Sequence, residues 1–178
     1  MIQITAVIFS ILMVMGRTPD VRPPENPAID MPGFLRVSAE AAEHRKLRRL
    51  SEDEFIRCSV EPGTIVLDAR SKAKYDLMHI QGAINLNFAD ITVESLKQLI
   101  PDKSTRILIY CNNNFTNEEA AFPAKMASAS LNLSTYIALY DYGYRNVFEL
   151  APLLDPKQSK LTFESSTASG GLKMQIAK

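Results

Sequence analysis

Arg106-Ile107-Leu108-Ile109-Tyr110-Cys111 decides the fold class. Its unbroken apolar run has the pattern of a strand buried on both faces, and it leads directly into a cysteine. Upstream, Thr64-Ile65-Val66-Leu67 is a second such run, opened by a Pro62-Gly63 turn and closed by Asp68-Ala69-Arg70. Shorter strands are expected at residues 83–86, after Gln81-Gly82, and at residues 146–150. Helical signals separate them. Residues 38–50 read as a helix capped by Ser38, with Ala39, Ala42, Leu47 and Leu50 on an irregular apolar face. Ser51-Glu52-Asp53-Glu54 is a capping box that opens a short helix. Residues 95–100 form another helix, stopped by Pro101. Strands alternating with helices imply parallel pairing and an α/β sandwich. In such sheets functional loops gather at the carboxyl ends of the strands. Cys111 stands at one such end, Asp68 and Arg70 at another.

The chain has 178 residues, which suits one domain with extensions. Apolar residues make up 46%, too many for a disordered chain. Lys+Arg and Asp+Glu both number 20, so a globally basic nucleic-acid binder is excluded. The basic cluster Arg45, Lys46, Arg48 and Arg49 reads as a solvated helix face beside Glu40 and Glu43. Two cysteines and two histidines argue against a zinc site, a disulfide scaffold or a His-rich metal centre.

The ends read as accessories. Residues 1–16 are almost wholly apolar up to the break at Arg17, which fits a secretory signal peptide with a weak positive front end. This predicts an exported protein, periplasmic or otherwise extracytoplasmic, with no membrane span in the mature chain. Five prolines then make residues 17–37 an extended linker. The domain proper is expected at 38–154. Residues 155–178 should hold a C-terminal strand and a loose Ser/Thr/Gly-rich tail.

Two stretches resemble the rhodanese-like domain family. The first is Leu67-Asp68-Ala69-Arg70, then Tyr75, then His79-Ile80-Gln81-Gly82-Ala83-Ile84-Asn85-Leu86. The second is Ile107-Leu108-Ile109-Tyr110-Cys111 with Gly143-Tyr144-Arg145-Asn146-Val147 downstream. The resemblance implies a three-layer α/β sandwich, a parallel sheet flanked by helices, with a cysteine-headed loop as its site. It implies that Cys111 takes sulfane sulfur as a persulfide, from thiosulfate or another donor, and passes it to a thiol acceptor. No cofactor or metal is implied.

Sulfur transfer needs a thiolate. The backbone N–H groups of Asn112, Asn113, Asn114, Phe115 and Thr116, wrapped around the sulfur, would stabilise it. Asn tolerates the left-handed conformations that such a loop uses. Thr116-Asn117-Glu118-Glu119 reads as a second capping box with a helix behind it. The loop holds no cation, so Arg70, or Lys125 beyond it, is expected to supply one. Asp68 reads as a buried anchor and His79 as a structural turn residue.

Cys111 and Gly143 lie 32 positions apart, longer than the family usually shows. The helix before Gly143 is expected from Ser134, which makes residues 117–133 an insertion beside the site. Ala151-Pro152-Leu153-Leu154 replaces the family's closing glycines. The position six after the cysteine is Asn117 rather than the arginine of related cysteine phosphatases, which argues against phosphatase chemistry. Two other readings stand beside sulfur transfer. One is a non-enzymatic module that binds a protein partner through the insertion and an exposed Phe115. The other is a redox-active thiol, with a Cys58–Cys111 disulfide as one form.

Overall fold

The computed structural model describes residues 26–166. The apolar run at residues 1–16, the first part of the proline-rich stretch and the end of the tail lie outside the described residues. The strands are β1 (Arg49–Leu50), β2 (Thr64–Asp68), β3 (His79–Ile80), β4 (Ile84–Asn85), β5 (Arg106–Tyr110), β6 (Val147–Leu150) and β7 (Phe163–Glu164). The helices are α1 (Met31–Arg45), α2 (Glu52–Ser59), α3 (Lys72–Leu77), α4 (Val93–Leu99) and α5 (Leu131–Asp141). Five strands form one parallel sheet in the order β1-β6-β5-β2-β4, and β3 pairs antiparallel with β7. Among the described residues no helix is long and apolar enough to cross a membrane.

Both faces of the sheet are covered, which is why β5 is apolar and buried from Ile107 onward. Its side chains alternate between two cores. Ile107 and Ile109 face one, with Ala41 of α1, Leu96 of α4 and Tyr136 and Leu139 of α5. Leu108 and Tyr110 face the other, with Phe55 of α2, Phe115, Phe122 and Leu161. Each fully buried Ile or Leu of β5 contributes about 1.5–3 kcal/mol by leaving water. The capping box of α2 forms as expected: the Ser51 N–H donates to Glu54 Oε2 at 2.8 Å and the Glu54 N–H to Ser51 Oγ at 3.4 Å.

Several expectations need correction. The first helix begins at Met31 rather than Ser38 and ends at Arg45 rather than Leu50. The linker thus stops at residue 30, because Pro32 sits in the first helical turn, where a missing N–H costs nothing. Arg49 and Leu50 are strand because β6 offers a free edge: the Glu149 N–H donates to Arg48 O and the Ala151 N–H to Leu50 O, both at 2.9 Å. No helix follows Thr116. Its N–H donates to Leu154 O, Phe115 bridges to Leu154, and Asn117 takes a left-handed φ of 62°. A single turn at residues 118–122 replaces the helix. The last helix starts at Leu131 rather than Ser134.

One buried cluster ties the carboxyl end of β2 to its surroundings. Asp68 is fully buried and pairs with buried Arg70 at 2.6 Å. The same guanidinium donates to Ala121 O at 2.9 Å and Met78 O at 2.8 Å, and it lies over the Phe122 ring. The Tyr110 hydroxyl donates to Asp68 Oδ2 at 2.5 Å and accepts the Ile80 N–H at 3.1 Å. Burial, reinforced by the Asp68 carboxylate, pushes the Tyr110 phenol well above its ordinary value.

Asp68→Asn leaves a buried guanidinium without its counter-charge. It should cost about 3–5 kcal/mol in urea unfolding, and a loss under about 1 kcal/mol would contradict a buried pair. Tyr110 sets an alkaline limit. The folded state favours the neutral phenol, so its contribution is complete below pH about 10, where unfolded tyrosine titrates, and is lost above it. Unfolding midpoints should fall above that pH, and Tyr110→Phe should flatten the slope.

Candidate active site

Cys111 follows β5 directly, and the period of two assigns its side chain to a face. It continues the Ile107–Ile109 series, the side covered by α1 and α5. Glu149 of β6, paired in register with Ile109, continues the series of Val147 on that same face. A pocket of about 250 Å³ results, lined among others by Arg45, Arg49, Cys111, Ser130, Asn132 and Glu149. Cys111 lies at its bottom, only 1% exposed, with its Sγ 3.4 Å from the Ser130 hydroxyl.

The loop after the cysteine is a 3-10 turn over Asn112–Asn114. Asn114 holds it. Its Oδ1 accepts the Cys111 N–H at 2.9 Å and the Asn132 amide at 3.0 Å, and its Nδ2 donates to Leu150 O at 2.8 Å and Pro152 O at 3.2 Å. All four polar positions of this buried amide are used. The Ala151–Leu154 turn is therefore part of the loop's support, since Leu154 also donates to Asn114 O. Asn113 makes a two-point contact with the Lys125 backbone, at 2.8 and 3.2 Å. Asn112 is buried, and its Oδ1 has no hydrogen-bond partner.

The expected cradle is only partly present. The N–H groups of Asn114, Phe115 and Thr116 donate to the carbonyls of Cys111, Asn112 and Leu154. The Asn114 N–H is shared with the Cys111 side chain, and those of Asn112 and Asn113 remain as further backbone donors for an anionic sulfur. Nor is the asparagine run left-handed. Among the described residues, the one non-glycine with positive φ is Asn117, beyond it.

Other expected site residues sit elsewhere. Arg70 lines no part of the pocket, and each of its guanidinium nitrogens is committed to Asp68, Ala121 or Met78. Asp68 is fully buried and bonded to Arg70 and Tyr110. His79 stacks on Tyr75 at 3.6 Å between ring centres, with its Nδ1 2.7 Å from Tyr75 O and its Nε2 3.3 Å from Glu164 Oε1. It too lies outside the pocket lining. Phe115 is not exposed: it is 3% accessible and packs against Phe122 and Phe163, so it offers no aromatic to a partner. Lys125 serves the loop through its backbone. Both cysteines are free, and Cys58 packs with the α2-side core, across the sheet from Cys111. Among the described residues no cluster of His, Cys, Asp and Glu could hold a metal.

The cations near the thiol are ones read as solvated surface. Arg45, the last residue of α1, grips Glu149 with two nitrogens, one of them Nε at 2.7 Å. Arg49, on the edge strand, donates through Nε to Glu149 Oε1 at 3.0 Å. Arg49 and Glu149 are register partners in the parallel β1–β6 pair, which brings them together. Two guanidinium groups against one carboxylate leave the pocket rim with one surplus positive charge. Ser130 and Asn132, from just before and within the first turn of α5, complete it.

The rhodanese-like domain model matches residues 46–150 of the chain, a span that holds β5, Cys111 and β6. The chain belongs to the rhodanese-like domain family. Solved structures similar to it include a rhodanese-like domain from Anabaena, with 17% identity over 74% of this chain and 92% of that one and a TM-score of 0.46. Another is a rhodanese with anions from E. coli, with 23% identity over 57% and 98% and a TM-score of 0.39. A third is a thiosulfate sulfurtransferase from Pseudomonas aeruginosa, with 22% identity over 68% and 20% and a TM-score of 0.44. No curated protein matches the chain. Arg45 lies one residue ahead of the matched span, so the rhodanese-like domain of this chain draws part of its pocket from the preceding helix.

Asn114→Ala orphans the Cys111 N–H and the carbonyls of Leu150 and Pro152. It should cost about 2–4 kcal/mol in urea unfolding. Below the unfolding transition it should also raise the alkylation rate of Cys111. An unchanged alkylation rate would mean that Asn114 does not hold the loop closed.

Proposed function

We propose that this rhodanese-like protein is a sulfurtransferase that carries sulfane sulfur as a persulfide on Cys111. The observation that carries the reading is the position of a free thiol at the carboxyl end of the central strand, at the bottom of a polar pocket with surplus positive charge. The thiolate is the nucleophile, and a hydroxyl at 3.4 Å can donate to it. The two uncommitted N–H groups of the loop add fixed positive dipoles.

The chemistry balances without a cofactor. The Cys111 thiolate attacks the outer sulfur of thiosulfate. A new S–S bond forms, the donor's S–S bond breaks, and sulfite leaves with the electron pair. An acceptor thiolate then attacks the outer sulfur of the persulfide, and Cys111 leaves as thiolate. Ser130 Oγ lies beside the sulfur, within reach of the thiolate that begins the step.

The test is intact-protein mass spectrometry after thiosulfate exposure. Wild type should gain one sulfur, about 32 Da, and release it to added thiol, while Cys111→Ala should gain nothing. No gain in wild type, with Cys111 reduced and open to alkylation, would exclude thiosulfate as donor.

A further inference from the structure

We propose that Arg49, seated on the buried Glu149–Arg45 pair, is the residue that receives the anionic end of the sulfur donor. The inference rests on the sulfur-transfer reading for the identity of the anion, and on geometry for the site. The loop from Asn112 to Thr116 contains no cation, and the buried Arg70 cannot turn towards the pocket without abandoning Asp68. Positive charge at the thiol must therefore come from outside the loop, and the pocket lining contains only two cations, Arg45 and Arg49.

The two arginines are not equivalent. Arg45 uses Nε and a terminal nitrogen on Glu149, a two-point grip that satisfies both carboxylate oxygens. Its side chain is 28% exposed. Arg49 adds one contact, through Nε, and its side chain is 49% exposed. Among the described residues its two terminal nitrogens have no hydrogen-bond partner. Glu149 thus neutralises Arg45 and fixes the stem of Arg49, while the outer edge of the Arg49 guanidinium stays available. A guanidinium held at Nε presents two parallel N–H groups, which match two oxygens of a sulfonate or carboxylate. Arg45 and Glu149 act as positioning residues, Arg49 as the binding residue.

The experiment compares alkylation of Cys111 by iodoacetate, a monoanion, with alkylation by neutral iodoacetamide, each resolved from Cys58 by peptide mass spectrometry. The two reagents meet the same thiolate and the same steric path, so their rate ratio reports the charge that faces an incoming anion. Arg49→Ala should lower the iodoacetate-to-iodoacetamide ratio about five- to tenfold, with an unchanged urea unfolding midpoint to show an intact fold. Arg49→Lys should restore part of the ratio, and high salt should shrink the difference between wild type and Arg49→Ala. Thiosulfate loading of Arg49→Ala should slow by a similar factor. An unchanged ratio, with loading intact in both proteins, would overturn the role of Arg49 and leave sulfur transfer standing. A lowered ratio with no loading of wild type would support Arg49 as the anion-binding residue and exclude thiosulfate as the anion it receives.

Discussion

The buried pair of Asp68 and Arg70 is the constraint from which the rest of the layout follows. A charged pair taken wholly out of water survives only if every remaining donor and acceptor is met. Here that requirement recruits the surroundings. Tyr110 of β5 gives its hydroxyl to Asp68, the carbonyl of Met78 closes α3 against the guanidinium, and the carbonyl of Ala121 ties the loop before α5 to it. The loop must then cross the end of the sheet, because its other anchor is Ser130 beside Cys111. Satisfying one ion pair on the α2 side thereby determines where the covering strap emerges on the α5 side.

Alternation does the complementary work. Tyr110 and Cys111 are neighbours in sequence but point to opposite faces, so one strand end supplies an anchor to one core and a thiol to the other. Glu149 reaches the thiol's face by the same parity. The unmatched edge of β6 then draws in residues 49–50, and with them Arg49. No residue of the cysteine loop had to be charged for the pocket to become positive.

This division explains what the sequence revealed. The apolar runs of β2, β5 and β6, the capping box of α2 and the cysteine at the strand end are local signals, and local reasoning found them. The arginines needed tertiary information. Arg70 lies two residues beyond a buried carboxylate, which in sequence is equally consistent with a structural pair and with an anion site. Arg45 and Arg49 lie in a mixed-charge stretch that reads as solvated helix. Only the switch from α1 to β1, set by a free strand edge, separates them from Lys46 and Arg48. The capping box at Thr116 failed for a related reason. Its residues are right, but the parallel bridge of Phe115 to Leu154 holds the backbone extended where a helix would begin. Asn114 was legible as a loop residue and not as an anchor, because its partners Leu150, Pro152 and Asn132 are distant in sequence.

Burial and reactivity pull against each other at Cys111. A thiol that is 1% exposed is shielded from adventitious oxidants, and a reagent reaches it only through the pocket that it lines. The cover is asymmetric. At the Phe122 end the strap is fastened by aromatic packing and by the Arg70 hydrogen bond to Ala121, interactions that cost several kcal/mol to break. At the Ser130 end it meets the sulfur through one contact at 3.4 Å, beside a short 3-10 turn at Ala127–Ala129 whose residues are not buried. The tightly packed fastening and the contact with the thiol therefore lie at opposite ends of the same segment, with the Asn113–Lys125 backbone contact between them.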